Sequence, residues 1–431
     1  MSPHFSELLR VFGRIGLLSF GGPAAQIALM HQELVEKRPW LSEDQFLRGL
    51  SFCMLLPGPE AMQLATYAGW RLRGTWGGVL AGALFVLPGA VVIALLLWLY
   101  VTFGNQPLVA AGFIGIKAAV ITIVFKALWG LSQKALHRPL DGVFSLFGFV
   151  ALFFLDLPFP AVILVAATIG AALPALFSIN GTTPATTPPR SRTPISGHLG
   201  QIALWAGLWL IPLIALSALG APFLADIGWF FAKLAVVTFG GAYAVLSYMT
   251  QTVVQDQGWI SSGQMVDALG LAETTPGPLI LVTQFVAMLA GQTAGTAATA
   301  LAAGAIALWA TFIPCFLWIF AAAPYVEQLT TIPRLNAALK AITATVVGVI
   351  LNLSLWFALS ILFDQHHRID TGLFRFDFPE WTRINLLSLT LVILAPLTFK
   401  ALRGNLFLLL PVMAALAIAA QQLPFLSQTT G

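Results

Sequence analysis

Long apolar stretches, nearly free of charge, constrain this chain more than any other feature of its sequence. Val79 to Val101, Leu108 to Leu131, Ile202 to Leu219, Ala294 to Ala321 and Leu335 to Phe363 are the clearest. A hydrocarbon core of roughly 30 Å takes about 20 helical residues to cross, and these runs reach or approach that length. Shorter apolar runs, Val143 to Leu155, Ala161 to Phe177, Leu386 to Phe399 and Leu406 to Leu423, come in pairs across very short turns. They read as thin spans or as helices packed inside a bundle. Charged residues fill only 9% of the 431 positions and hydrophobic ones 58%, where a soluble chain carries about 25% charged. No soluble fold hides that much apolar surface, so lipid must cover it. The expected class is an all-α integral membrane protein in contact with membrane lipid. No small-residue cleavage site follows a short apolar stretch near Met1, so a cleavable signal peptide is not expected.

The same residues exclude other classes. A net charge of +4 is modest, and the basic residues flank apolar runs, where membrane orientation explains them, so no nucleic-acid partner is expected. Cys53 and Cys315 each lie inside an apolar run, without a CxxC or Cys/His cluster. They read as packing residues, with no metal site, disulfide or cofactor implied. The histidines, His4, His31, His137, His198, His366 and His367, lie mostly near ends and loops without a partnering motif, so an enzyme is not expected.

The chain also contains itself twice. Phe12 to Pro59 aligns without a gap on Phe231 to Pro278 at a constant offset of 219. Phe20-Gly21-Gly22 meets Phe239-Gly240-Gly241, and Pro57-Gly58-Pro59 meets Pro276-Gly277-Pro278. Gln32, Trp40, Ser42 and Gln45 fall on Gln251, Trp259, Ser261 and Gln264, and Arg14 falls on Lys233. Compositional bias matches leucine with leucine, but not two tryptophans and two PGP triplets at one spacing. Residues 1–178 therefore form a first repeat and 221–431 a second. Residues 179–198, rich in Thr, Pro and Ser, read as a flexible linker. Residues 199–220 read as an extra transmembrane helix with no counterpart before the first FGG.

An odd number of crossings between equivalent elements would insert the second repeat upside down, as inverted-topology repeats. With a cytoplasmic N-terminus, Arg71/Arg73, Lys134/Arg138, Arg190/Arg192, Arg334 and Lys400/Arg403 then face the cytoplasm, as the positive-inside rule requires. Lys37/Arg38 fits better if the first FGG–PGP pair is re-entrant. The expectation is nine full spans plus four broken or re-entrant segments, or up to thirteen crossings.

Proline removes a donor and clashes with the preceding turn, so Pro-Gly-Pro breaks a helix. A break inside hydrocarbon is tolerable only in a protein-lined or watered cavity, where free helix N-termini favour anions. The FGG glycines allow close backbone approach and unusual dihedrals. Phe20, Gly21, Gly22, Pro57, Gly58, Pro59, Gly240, Gly241, Thr275, Pro276, Gly277 and Pro278 are thus candidate substrate-binding residues. Gln63, Thr66, Thr274 and Gln284 offer neutral hydrogen bonds. Lys117 lies mid-span, and Lys340 sits near the matching place in the second repeat; charges in apolar runs are costly and mark function. Arg14 and Lys233 could add a cationic field, or snorkel to the interface. Glu60 and Glu273 are candidates for coupling proton movement to anion movement, or for structural caps.

The segments FGRIGLLSFGGPAAQIALMHQELVEKRPWLSEDQF and LLPGPEAMQLATYAGW resemble the chromate ion transporter family. The segments VVTFGGAYAVLSYMTQTVVQDQGWISSGQM and LAETTPGPLILVTQFV resemble its second homologous domain, as in the long, two-domain form. The resemblance implies efflux of chromate across a bacterial inner membrane, driven by the proton-motive force and giving chromate resistance. It maps the family's PGP, FGG and intramembrane lysine onto Pro57-Gly58-Pro59, Phe20-Gly21-Gly22 and Lys117. The repeats depart from symmetry where Glu60 faces Leu279 and Glu273 faces Met54. Sulfate shares chromate's shape and charge and stays open as the substrate, as do a passive anion channel and a homodimer.

Overall fold

A computed structural model describes residues 3–20, 22–177, 199–239, 241–325, 332–363, 366–372, 375–380 and 384–422. The linker expected at residues 179–198 lies outside the described residues. The helices are α1 (Phe5–Leu18), α2 (Gly22–His31), α3 (Glu43–Cys53), α4 (Glu60–Phe103), α5 (Pro107–Ala135), α6 (Pro139–Phe153), α7 (Phe159–Ala172) and α8 (Leu199–Ala218). After them come α9 (Pro222–Val237), α10 (Ala242–Thr250), α11 (Ser262–Glu273), α12 (Val282–Ala294), α13 (Ala297–Ala322) and α14 (Pro333–Leu362). A hairpin of β1 (His366–Asp370) and β2 (Arg375–Pro379) precedes α15 (Leu386–Ala401) and α16 (Leu406–Gln421). The stretches Glu60–Phe103, Pro107–Ala135, Leu199–Ala218, Ala297–Tyr325 and Pro333–Leu362 are long and apolar enough to cross a membrane, and they coincide with the five runs picked out in the sequence. The protein is a multi-pass helical membrane protein.

The duplication is visible in local structure because the same residues do the same jobs. Ser42 caps α3 and Ser261 caps α11, each hydroxyl accepting the N–H three residues on, while Gln45 and Gln264 reciprocate to the cap N–H. The shared Ser and Gln are thus two N-terminal capping boxes, which start the helices at equal points. A π-helical turn, Gln32–Glu36, ends the segment before α3, and its equivalent, Gln251–Asp256, does so before α11. The Trp40 and Trp259 N–H groups then donate to the Leu34 and Val253 carbonyls at 3.1 and 2.9 Å.

The chain divides into two compact units. The first holds Met1–Ala94, Ala167–Val245 and Thr275–Lys340. Within it, α4 leaves helical geometry at Arg73 and Gly74 and folds back on itself. Gly74 adopts φ of +63°, which a side chain would resist. A Cβ on Gly69 would strike the Gly77 carbonyl, and one on Gly78 would strike Phe320 and the Thr66 carbonyl. The two limbs therefore touch through glycine, as close helix contacts in lipid require. In the second repeat α12 and α13 form the same hairpin around Gly295, with Gly291 against Ala300. The additional helix α8 leans on α13 through Trp205, stacked 5.3 Å from Phe316, and Trp209, whose indole N–H donates to the Ala310 carbonyl. Much of the rest of α8, including Leu204 and Ile211, is exposed, as a lipid-facing helix should be.

The second unit holds Leu95–Ala166, Leu246–Thr274 and Ala341–Gly431. Ala118, Ala119 and Ile123 of α5 pack with Leu387, Leu391 and Ala395 of α15 and Leu409, Leu410, Met413 and Ala417 of α16. Gly148 of α6 and Gly348 of α14 lie against the Thr345 and Ser145 carbonyls, a small-residue crossing. The hairpin falls where the sequence reads as a loop. A lone two-stranded hairpin is marginal in water. Here the Arg375 N–H donates to the Phe154 carbonyl at 2.8 Å, and Phe376 lies 5.5 Å from the Phe154 ring.

Candidate functional site

Ser19 and Thr238 occupy equivalent places, one residue before each FGG, and both are buried. Their hydroxyls donate back along their own helices to the Ile15 and Leu234 carbonyls at 2.6 and 2.5 Å. This ends α1 and α9 and turns the Ser19 and Thr238 carbonyls toward the PGP of the opposite repeat. The Gly58 N–H donates to the Thr238 carbonyl at 2.9 Å, and the Gly277 N–H donates to the Ser19 carbonyl at 2.8 Å. These two bonds are one bond written twice, related by the same offset of 219. Both PGP turns and their partners Ser19 and Thr238 lie in the first unit, and each PGP is stitched to the residue just before the FGG of the other repeat.

The glycines are required there. Gly22, Gly58, Gly241 and Gly277 take φ of +81°, +119°, +102° and +90°, a region that costs a side chain of order 1–3 kcal/mol. Space is short as well: a Cβ on Gly58 would lie 2.7 Å from the Gln63 amide nitrogen and 3.1 Å from Cys315 Sγ. On the other side, a Cβ on Gly89 would overlap the Pro276 carbonyl. Each PGP thus nests beside the residue after a proline in a long helix, Gly89 after Pro88 and Cys315 after Pro314. A proline inside a helix frees the carbonyl four residues earlier and opens room for such a contact.

Three buried glutamines tie these breaks to carbonyl groups. Gln26 donates to the Gly277 carbonyl at 2.7 Å, Gln63 to the Pro57 carbonyl at 2.6 Å, and Gln284 to the Ala90 carbonyl at 3.0 Å. Each leaves its own amide oxygen buried without a hydrogen-bond partner among the described residues. Buried polar atoms in that state are costly, and three around one set of breaks mark a polar interior that a hydrated guest could satisfy. Their repeat equivalents, Val245, Val282 and Ala65, are apolar, so the polar lining is asymmetric. Gln26 went unnoticed in the sequence because its value depends on the Gly277 carbonyl, 251 residues away.

The remaining candidates are spread more widely. Pro57 and Pro59 are half-buried, whereas Thr275, Pro276 and Pro278 are buried; Phe20 is half-buried beside the first break. Gly21 and Gly240 lie outside the described residues. Thr66 is buried with its hydroxyl on the Met62 carbonyl, and Thr274 donates to the Leu271 carbonyl. Glu60 starts α4, and Glu273 ends α11 with only 6% of its surface exposed. Arg14 and Lys233 occupy exposed positions on α1 and α9, and Lys340 donates to the Phe177 carbonyl at 3.2 Å. Cys53 and Cys315 are buried, and Cys315 donates to the Thr311 carbonyl.

Lys117 belongs to the second unit, on α5. Its Nζ lies 3.4 Å from Asp267 of α11, and the Tyr100 hydroxyl donates to the same carboxylate oxygen at 2.9 Å. Neither Asp267 nor Tyr100 stood out in the sequence, because nothing in the spacing of residues 100, 117 and 267 says that they meet.

Outside the spans, the corner between α2 and α3 holds a charged knot. Glu33 is buried and accepts from Lys37 at 2.9 Å and from Arg38 at 2.5 Å. Burial pushes its carboxyl up, but the hydrogen bonds from Lys37 and Arg38 outweigh this and hold it below the usual range. The Glu43 carboxylate, 2.7 Å from His31, raises the imidazole above its ordinary value, with Glu36 adding to the effect.

Comparison with known proteins identifies the family. The family model described as chromate transporter matches residues 6–171 and 225–420, one match per repeat. The chromate transport protein of Cupriavidus metallidurans is 32% identical over 80% of each chain. That of Pseudomonas aeruginosa is also 32% identical, over 80% of this chain and 79% of its own. A Bacillus subtilis protein described as an uncharacterized transporter is 32% identical over 31% of this chain but 67% of its own length, the proportion expected of a single repeat. No solved structure matches the chain. With both repeats matched and the interruptions paired across them, the chain belongs to the chromate transporter family.

Proposed function

We propose that this protein is a secondary active transporter that exports chromate across the bacterial inner membrane, driven by the proton-motive force and giving chromate resistance. The observation that carries the reading is the reciprocal pair of bonds, Gly58 to Thr238 and Gly277 to Ser19. In this reading the two repeats are inserted in opposite orientations and the FGG–PGP segments re-enter the membrane. Their broken backbone, braced by those two bonds, forms a cradle in which the positive N-terminal ends of the helices after the breaks attract the anion. Phe20, Gly21, Gly22, Pro57, Gly58, Pro59, Gln63, Gly240, Gly241, Thr275, Pro276, Gly277 and Pro278 line it, and Lys117 supplies positive charge along the anion's path. Arg14 and Lys233 contribute to the attracting field, and Glu60 and Glu273 to proton coupling.

Voltage favours the outward direction. About 2.3 kcal/mol acts on each charge per 100 mV, so an inside-negative potential pushes a dianion outward with about 4.6 kcal/mol per 100 mV. The relatives named as chromate transport proteins support chromate as the substrate. Sulfate is the second reading, on shape and charge. Chromate flux in proteoliposomes under separately imposed pH and voltage gradients tests the proposal. Uphill movement driven by the pH gradient at clamped voltage is the expected result. Flux that follows the anion's electrochemical gradient and ignores an imposed pH gradient would make the protein a channel, and full inhibition by low sulfate would make it a general oxyanion carrier.

A further inference from the structure

The Lys117–Asp267–Tyr100 cluster carries chemistry that the proposed function leaves unassigned. Asp267 is 5% exposed, yet among the described residues only one of its carboxylate oxygens is engaged. Oδ2 takes the Tyr100 hydroxyl at 2.9 Å and faces Lys117 Nζ at 3.4 Å. Oδ1 is buried with no hydrogen-bond partner among the described residues. A buried ionised carboxylate normally fills both oxygens, because each unmet lone pair forfeits its hydration. An oxygen left open in this way is where a proton can add while Oδ2 keeps its tyrosine. The groups facing the carboxylate from neighbouring elements are Lys117 of α5 and Tyr100 of α4.

Lys117 is held in an unusual place. A Cβ on Gly263, in the first turn of α11, would lie 3.2 Å from Nζ. An ammonium there meets the positive end of the helix dipole, which repels it, whereas an anion in the same place is attracted. Asp267, just over one turn further on, is therefore what keeps the lysine there. We propose that Asp267 is an internal counterion that competes with the transported oxyanion for Lys117, so that binding the anion draws one proton from solvent onto Asp267. The balance is simple: the carboxylate and one proton become a carboxylic acid, Lys117 remains an ammonium, and its charge passes from Asp267 to the guest. This inference rests on the reading that Lys117 meets the transported anion.

The test titrates the purified full-length protein with sulfate and, separately, chromate in weakly buffered solution containing a pH indicator. Sulfate is the decisive probe because it does not itself exchange protons near neutral pH. Wild type should take up close to one proton per anion bound, with affinity rising by up to about tenfold per unit fall in pH where Asp267 is ionised. Asp267→Asn should bind the anion without proton uptake and with an affinity independent of pH. Tyr100→Phe removes a donor to the ionised form, and should move the uptake to higher pH by about one unit. Gel filtration and helical circular dichroism check that both variants remain folded. Wild-type binding without proton uptake, or uptake that survives in Asp267→Asn, overturns this inference while leaving transport intact. A wild-type protein that neither binds nor moves either anion overturns the functional reading, and this inference with it.

Discussion

At Gly58 and Gly277 the backbone conformation and the surrounding space make the same demand. Both take positive φ, and a Cβ on either meets close neighbours, Gln63 and Cys315 in one case, Leu281 and Phe85 in the other. Replacing either with alanine should cost of order 1–3 kcal/mol in backbone strain alone. Thermal unfolding in detergent should show a lower midpoint for each variant, with chromate flux reduced in both. Similar losses at the two positions would express the symmetry of the exchanged bonds, whereas a harmless Gly277→Ala would show that only the first break matters. Glu33 gives a residue-scale expectation with a sign. Its pKa is depressed in the folded state, so its contribution to stability is present above the ordinary carboxylate range and is lost as pH falls through the depressed value. Glu33→Gln should flatten the acid limb of unfolding without changing stability's response above neutrality. His31 runs the other way: its raised pKa means stability fully present below about 6.5 and lost as pH rises through the folded value.

Among the elements, the two PGP turns separate short helices from the limbs that follow. Pro57→Ala combined with Pro59→Ala should let α3 run on toward α4 and withdraw the Gly58 N–H from the Thr238 carbonyl. The expected outcome is loss of chromate flux in proteoliposomes with the protein still inserted; unchanged flux would reduce the motif to packing. The caps allow a graded comparison. Ser42→Ala and Ser261→Ala each remove one capping hydroxyl and should each lower stability by about 1 kcal/mol, measured as the shift in unfolding midpoint. These elements were readable in advance to different degrees. The long apolar helices could be read directly, since length and apolarity are local, whereas Ser42/Gln45 and Ser261/Gln264 were matched only as repeat equivalents and became capping boxes in the structure. The return of α4 at Arg73–Gly74 falls on the pair Arg71/Arg73 that the sequence places at the cytoplasmic face, whereas the β1–β2 hairpin could not be read, because it depends on Phe154 and Phe376 meeting.

For the molecule as a whole, the exchanged bonds imply that neither repeat completes its own breaks. Each PGP glycine donates to a carbonyl of the other repeat, so either repeat alone leaves a buried N–H and a buried carbonyl unpaired. Residues 1–178 and 199–431 expressed as two separate chains in one cell should together restore chromate resistance, and neither should do so alone. Full activity from one repeat, unaided by a second copy, would contradict the exchange. The sequence by itself determined the membrane-embedded helical class, the duplication and the identity of the breaks. Apolar length, repeated spacing and the chemistry of Pro and Gly act within a few residues of one another. Only the tertiary structure decided that each PGP pairs with the opposite FGG, that Gln26 reaches Gly277, and that Lys117 finds Asp267. Those pairings join residues more than a hundred positions apart, and desolvation selects them only once the helices have packed.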